Sequence, residues 1–143
     1  MPTYIGFAPS LRGYDFEDFQ FTFNLKAGIV ATDVGKAVAL DATAAATVKL
    51  AGDDDHIIGR LETFENRTQE GALLGTVALK FSDILPIKSG LTGAEAVVVG
   101  STVVGAGSGE VKARVVSTVA TPDYTINMVT ALISTTHAVV TKV

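Results

Sequence analysis

The feature that most constrains the fold is a run of short apolar segments, separated by turn residues, with no sustained helical face in 143 residues. Short segments with turns about every 8–12 residues are typical of all-β barrels and sandwiches. Valine, threonine and glycine are frequent, which favours strands and turns. We therefore predict an all-β fold, a small barrel or sandwich of short antiparallel strands. The predicted strands are Phe19–Phe23, Lys36–Leu40, Thr47–Leu50, His56–Phe64, Thr76–Phe81, Ala96–Val99, Thr102–Val104, Glu110–Ser117, Tyr124–Ile133 and His137–Val143.

Turn signals lie between these segments. Gly105–Gly109 predicts a hairpin turn, and Gly52–Asp55 predicts a second turn. The polar segment Glu65–Gly71 is typical of a loop. Pro86 limits Ile84–Lys88 to an edge strand or a turn, because proline has no N–H to donate. Thr92–Ala96 has room for one helical turn.

The N-terminal segment differs from the rest of the chain, because residues 1–24 hold seven of the ten aromatic residues. We divide the chain into an extended arm with a first strand, 1–24, and a single β-barrel domain, 25–143. Aromatic side chains are costly to leave in water and are enriched at interfaces. The arm either folds back over its own barrel or docks on another chain, and it can do both along its length. The candidate interface residues are Tyr4, Phe7, Tyr14, Phe16 and Phe19.

A faint repeat connects the two halves of the barrel region. Val34–Val38 and Val99–Val103 both read Val-Gly-x-x-Val, about 65 residues apart, and a Val-Lys pair follows each of them. Two similar β-units folding into one barrel would produce such a pattern. Chance would also produce it, since valine and glycine are common here.

Composition argues against several functions. The chain has no cysteine, which removes thiolate metal sites, disulfides and cysteine nucleophiles. A net charge of −4 disfavours binding to nucleic acid or to an anionic membrane. No secretory signal is visible at the N-terminus, and the uncharged stretch Tyr124–Thr141 holds too many polar groups for a membrane span.

The residues that could carry chemistry do not form a recognisable motif. His56 follows Asp53–Asp55, but neighbouring residues of an extended chain point to opposite faces, so a solvated turn is the preferred interpretation. His137 has no G-x-S-x-G partner, and Ser134 would lie roughly 10 Å away in an extended chain. No lysine follows Gly109 as a phosphate-binding loop requires. We therefore predict no enzyme activity, no cofactor and no metal site.

Three segments together resemble the head decoration, or capsid cement, proteins of tailed bacteriophages. They are Asp33–Asp41, Val48–Gly59 and Val97–Gly105, which carry a V-G-x-x-V-x-L strand, an x-I-G strand after an acidic turn and a V-V-G-x-x-V strand. The resemblance covers about residues 28–115 and does not include the aromatic arm.

The resemblance implies a structural role on the outer surface of the virion, for a protein made in the host cytoplasm. It implies a homotrimer that binds the major capsid protein, with the arm contacting the capsid or a neighbouring subunit. The low charge of residues 89–143 would then mark a subunit interface. Two alternatives stay open: a phage tail or fibre component, and a small barrel that binds sugars or peptides.

Overall fold

The computed structural model describes residues 20–67, 69, 71–115 and 127–142. The described chain is all β, which confirms the predicted fold class, with single 3-10 turns at Ala31–Asp33 and Gly93–Glu95. None of its helical segments is long and apolar enough to cross a membrane. The strands are β1 Gln20–Leu25, β2 Ala37–Leu40, β3 Thr47–Leu50, β4 Gly59–Leu61, β5 Glu65–Arg67, β6 Ala72–Ala78, β7 Phe81–Pro86, β8 Val103–Gly107, β9 Glu110–Ala113, β10 Asn127–Leu132 and β11 His137–Lys142.

The first half of the chain forms a closed ring of five strands, in the order β1-β3-β2-β4-β6, which β1 completes by pairing with β6. The β1–β3 pairing is parallel and the others are antiparallel. Strand β5 continues the pairing of β6 beyond β4. Alternate apolar side chains fill the ring, because successive residues of a strand point to opposite faces. The buried residues inside it are Leu25, Ile29, Val38, Val48, Leu61 and Val77.

The second half forms another ring with the same strand order. Its strands lie in a sheet β10-β11-β7 and a hairpin β8–β9. Two isolated bridges connect these sheets, Ile87↔Val111 in parallel and Thr102↔Met128 in antiparallel orientation. The resulting circuit, β7-β9-β8-β10-β11 and back to β7, repeats that of the first ring.

Hydrogen bonds show that the two rings also share one register. A glycine with positive φ, Gly35 or Gly100, precedes the second strand of each ring. Val34 at φ −57°, ψ 132° and Gly35 at φ +95° form a type II turn, which requires this glycine. The glycine N–H donates to the carbonyl of Leu61 at 2.7 Å in the first ring and of Val129 at 2.8 Å in the second. The matching strand pairs are Val38↔Leu50 with Val103↔Ala113, Ala39↔Lys49 with Val104↔Lys112, Arg60↔Ala78 with Met128↔Thr141, and Leu25↔Val48 with Ile87↔Val111.

The faint sequence repeat is therefore a structural repeat, because chance would not produce a common register. The buried residues of the second ring stand at positions equivalent to those of the first. They include Ile87, Val103, Val111, Val129 and Val140. Each unit closes its own ring, whereas the sequence suggested that the two units would share one barrel.

Small side chains on the outside of the first ring form the junction with the second. Ala37, Ala39, Ala51 and Ala78 are almost completely buried and belong to one cluster with the core of the second ring. The N–H of Ala37 donates to the carbonyl of Gly109 at 2.9 Å across the junction. Alanine at these positions allows the two backbones to approach closely enough for such bonds.

The strand predictions differ from the structure at several places. Of the predicted strands His56–Phe64 and Glu110–Ser117, the described residues are strand only over Gly59–Leu61 and Glu110–Ala113. Glu65–Arg67, predicted as part of a loop, is strand β5, because its backbone pairs with β6 although its side chains are polar. Ala96–Val99, predicted as a strand, follows a 3-10 turn and is not a strand. Thr76–Phe81 is divided between the end of β6 and the start of β7. Pro86 lies in β7, an edge strand of its three-stranded sheet, as predicted.

Candidate functional site

The candidate interface residues of the arm, Tyr4, Phe7, Tyr14, Phe16 and Phe19, lie outside the described residues. What the structure describes is the start of β1, where the arm joins the first ring. Phe21 is 52% exposed, Phe23 is partly buried and Leu25 is buried, so burial increases along one face of the strand.

The first part of β1 has an open edge. Gln20–Asn24 pairs with β6 on one side, whereas β3 pairs only with Asn24 and Leu25 on the other. Within the described chain, the β3-facing side of Gln20–Phe23 thus carries no strand partner. Unpaired main-chain groups beside an exposed phenylalanine are suited to the addition of another strand.

An apolar groove of about 520 Å³ lies at one end of the second ring. The loop after β7 forms one wall of the groove and the β10–β11 hairpin forms the other. Leu132 is 44% exposed and Ile133 is 53% exposed. The groove residues are Ile87, Lys88, Ser89, Gly90, Leu91, Ala96, Val97, Leu132, Ile133, Ser134 and Thr135.

Further exposed apolar side chains belong to the second ring. Besides Leu132 and Ile133, they are Val98, Val99, Val115 and Met128. Six of the ten exposed large apolar side chains in the described chain thus lie in the second ring. The sequence signal for this region is the low charge of residues 89–143, which the family resemblance interprets as a subunit interface.

A charged cluster joins the two rings on another face. The side chain of Lys112, in β9, is only 8% exposed, and its Nζ lies 2.8 Å from Asp53 Oδ1, 3.0 Å from Asp54 Oδ1 and 2.8 Å from Glu95 Oε2. Asp53 and Asp54 form the predicted acidic turn, whose partner on the second ring the sequence did not reveal. The repeat-equivalent lysine, Lys49, contacts Asp55 at 3.0 Å in the same turn.

Hydrogen bonds to lysine and backbone donors lower the pKa of three aspartates. The hydrogen bond from Lys112 lowers the pKa of Asp53, and the backbone N–H of Thr43 lowers the pKa of Asp41. Burial raises the pKa of Asp33, but hydrogen bonds from Val30 N–H and Lys36 outweigh it, so that this pKa is also lowered. Hydrogen bonds to Asp53, Glu95 and Asp54 raise the pKa of Lys112.

We expect these shifts to make the protein sensitive to acid. An aspartate whose folded pKa is lowered stabilises the fold above its unfolded pKa of about 3.9, and this contribution is lost as the pH falls through the folded value. The contribution of Lys112 is fully present below its unfolded pKa, so it persists through neutral pH. The urea concentration at the midpoint of unfolding should therefore decrease as the pH is lowered below about 4. Asp53→Asn should make this decrease smaller. An unchanged decrease below about pH 4 would show that the lowered pKa of Asp53 does not contribute to it.

The described residues hold one short chain of hydrogen-bonded side chains at His137 and no candidate metal site. No group of three histidine, aspartate or glutamate side chains among them is arranged to hold a metal ion. His137 is exposed, and its Nδ1 lies 2.9 Å from Thr136 Oγ1. Ser134 Oγ is 3.0 Å from the same hydroxyl, because residues 133–137 form a tight turn and not the extended chain assumed for the sequence estimate.

Comparison with known proteins found no matching family model, no matching curated protein and no matching solved structure.

Proposed function

We propose that the protein is a structural component of a phage head that binds the outside of the capsid as a homotrimer. The arm contacts the major capsid protein or a neighbouring copy. The observation that carries this proposal is the distribution of exposed apolar surface. Of the ten exposed large apolar side chains in the described chain, six belong to the second ring, two of them at the groove, and Phe21 lies at the open edge of β1 where the aromatic arm begins. The other three, Val30, Val34 and Leu40, lie elsewhere on the first ring.

The family resemblance supports the proposal from the sequence. Its first and third segments, Asp33–Asp41 and Val97–Gly105, contain the equivalent turn and strand of the two rings. The second segment contains the acidic turn that joins the rings through Lys112. The quoted residues thus belong to the elements that organise the barrel pair. A protein of this kind binds many identical sites on a lattice, and each weak contact gains from avidity.

The alternative of a sugar-binding barrel has less support. Sugars are usually bound against exposed aromatic rings. Of the ring aromatics that follow β1 in the described chain, Phe81 is buried and Phe64 is only partly exposed. The apolar groove has the character of a peptide or side-chain site.

Co-sedimentation with mature heads stripped of this protein tests the proposal. We expect saturable binding near one copy for each capsid subunit. A few copies for each particle would indicate a tail or fibre component, and the absence of binding would contradict a role on the head.

We further expect deletion of residues 1–18 to weaken head binding at least about tenfold, because aromatic anchors supply much of the energy of an interface. The two rings should still be folded and should still unfold in a thermal transition. A full-length variant with serine at the five arm aromatics serves as the matched control for chain length, and it should bind as weakly as the deletion. Undiminished binding by both variants would show that the arm is not the attachment.

A further inference from the structure

The two rings close their equivalent ends in different ways. Phe64 of the first ring corresponds to Leu132 of the second. The pair Glu65↔Leu74 places Phe64 opposite Gly75, and the residue equivalent to Gly75 in the second ring is Ala138, which pairs with Leu132. Phe64 and Leu73 pack on the core of the first ring. The equivalents in the second ring are Leu132, which is 44% exposed, and Thr136, a polar residue. The second ring therefore lacks a phenyl ring and a leucine at the end where its groove opens.

We infer that this groove is the docking site of the N-terminal arm of the same chain, with Tyr4–Phe7 in the position that Phe64 and Leu73 fill in the first ring. The arm offers the side chains that the groove lacks, two aromatic rings and Ile5. Docking would cover Leu132 and Ile133. The inference does not depend on capsid binding, and it concerns the protein before any partner is present.

The arm is long enough to reach the groove. Gln20 pairs with Ala78, shortly before β7, and β7 runs from there to Ile87 at the groove. This path measures at most about 35 Å at extended-chain spacings. Phe7 lies thirteen residues before Gln20, a reach of up to about 43 Å.

Charge along the path favours the same route. The part of the arm between Phe7 and Gln20 carries three acidic residues, Asp15, Glu17 and Asp18, against one basic residue, Arg12. Lys80 and Lys142 stand near the start of β7, and Lys88 lines the groove at its end. Burial and the neighbouring Lys80 lower the pKa of Lys142, and an acidic segment beside them would relieve this repulsion.

Effective concentration selects the chain's own arm over that of a second copy. A tether of this length holds Tyr4–Phe7 near the groove at an effective concentration on the order of millimolar. Protein in dilute solution is far below that concentration. Docking within one chain is therefore the expected state of the free protein.

A double-mutant cycle on the full chain tests whether the arm and the groove interact. We expect Phe7→Ser and Ile133→Ser each to lower the equilibrium constant for folding roughly tenfold, and the double variant to lower it little further. Leu40→Ser is the matched control, because Leu40 is 55% exposed and Ile133 is 53% exposed, but Leu40 is not among the residues that line the groove. It should have little effect. Additive effects, or an Ile133→Ser effect equal to that of Leu40→Ser, would overturn the inference.

Engineered disulfides test which chain supplies the arm, because the protein has no cysteine of its own. Thr3→Cys, Gly6→Cys or Ala8→Cys would each be combined with Ser134→Cys and oxidised at low protein concentration. A disulfide within one monomer supports the inference. A disulfide between two chains would assign the groove to another copy's arm and overturn it, as would the absence of any disulfide in all three variants. Ala44→Cys, in the loop between β2 and β3, replaces Ser134→Cys in the control and should not cross-link.

Discussion

Gly105→Ala is expected to lower the free energy of unfolding by about 3 kcal/mol or more, a large fraction of the total stability of a small domain. Gly105 lies in β8 against the first ring. Its N–H donates to the carbonyl of Asp55 at 2.9 Å, and its carbonyl accepts the N–H of Asp54 at 2.9 Å. A Cβ at this position would collide with the carbonyl oxygen of Gly52 and lie 2.9 Å from the Cβ of Ala51. Both neighbours belong to the first ring, so the junction itself would have to open.

The repeat supplies the matched control for Gly105→Ala. Leu40 stands at the equivalent position of the first ring, where its side chain points into solvent and is 55% exposed. Leu40→Ala should change the free energy of unfolding by about 0.5 kcal/mol or less. Urea titrations of both variants measure the difference. Equal stabilities would show that the rings do not meet at Gly105.

Local patterns predicted most of the strands. Thr47–Leu50 is predicted residue for residue, and β2, β10 and β11 overlap their predicted segments closely, because alternation and β-branched residues act within the strand itself. The Gly105–Gly109 hairpin was also predicted. Strand β5 was not, since Glu65–Arg67 has no apolar alternation and depends on its partner β6.

Contacts between distant residues account for what the sequence did not show. Gly105 was assigned to a turn because it stands in a glycine-rich segment, whereas its structural role is close contact with Gly52, more than fifty residues away. The second ring was similarly hidden. Its Val-Gly-x-x-Val segment was noted, but only the register of β8 with β9 and of β7 with β11 shows a complete second unit.

The candidate site was likewise predicted only in part from the sequence. The acidic turn was predicted from three consecutive aspartates, but Lys112 and Glu95, which complete the cluster, are forty or more residues further along the chain. The groove could not be predicted from Leu132 and Ile133, because an apolar pair in a strand usually indicates a core. Both side chains are exposed in the structure, whereas Phe64, at the position equivalent to Leu132, packs on the core of the first ring.

Lys112→Met is expected to lower the free energy of unfolding by about 1–2 kcal/mol, less than the loss of a fully buried ion pair. The methionine keeps the apolar stem but removes the ammonium group that three carboxylates share. Asp53, Asp54 and Glu95 are 66%, 75% and 43% exposed, so water can solvate them once the lysine is gone, which limits the loss. Their mutual repulsion remains and should push the acidic turn away from the second ring.

Lys49→Met is the matched control, because Lys49 stands at the equivalent position of the first ring and contacts only Asp55 in this turn. Its side chain is 34% exposed, and we expect a loss below about 0.5 kcal/mol. High salt should reduce the effect of Lys112→Met, because it screens the repulsion among the three carboxylates. Urea titrations at low and high salt would measure both differences. Equal losses for the two lysines would show that the acidic turn does not hold the rings together, and would leave the junction to Gly105 and the buried alanines alone.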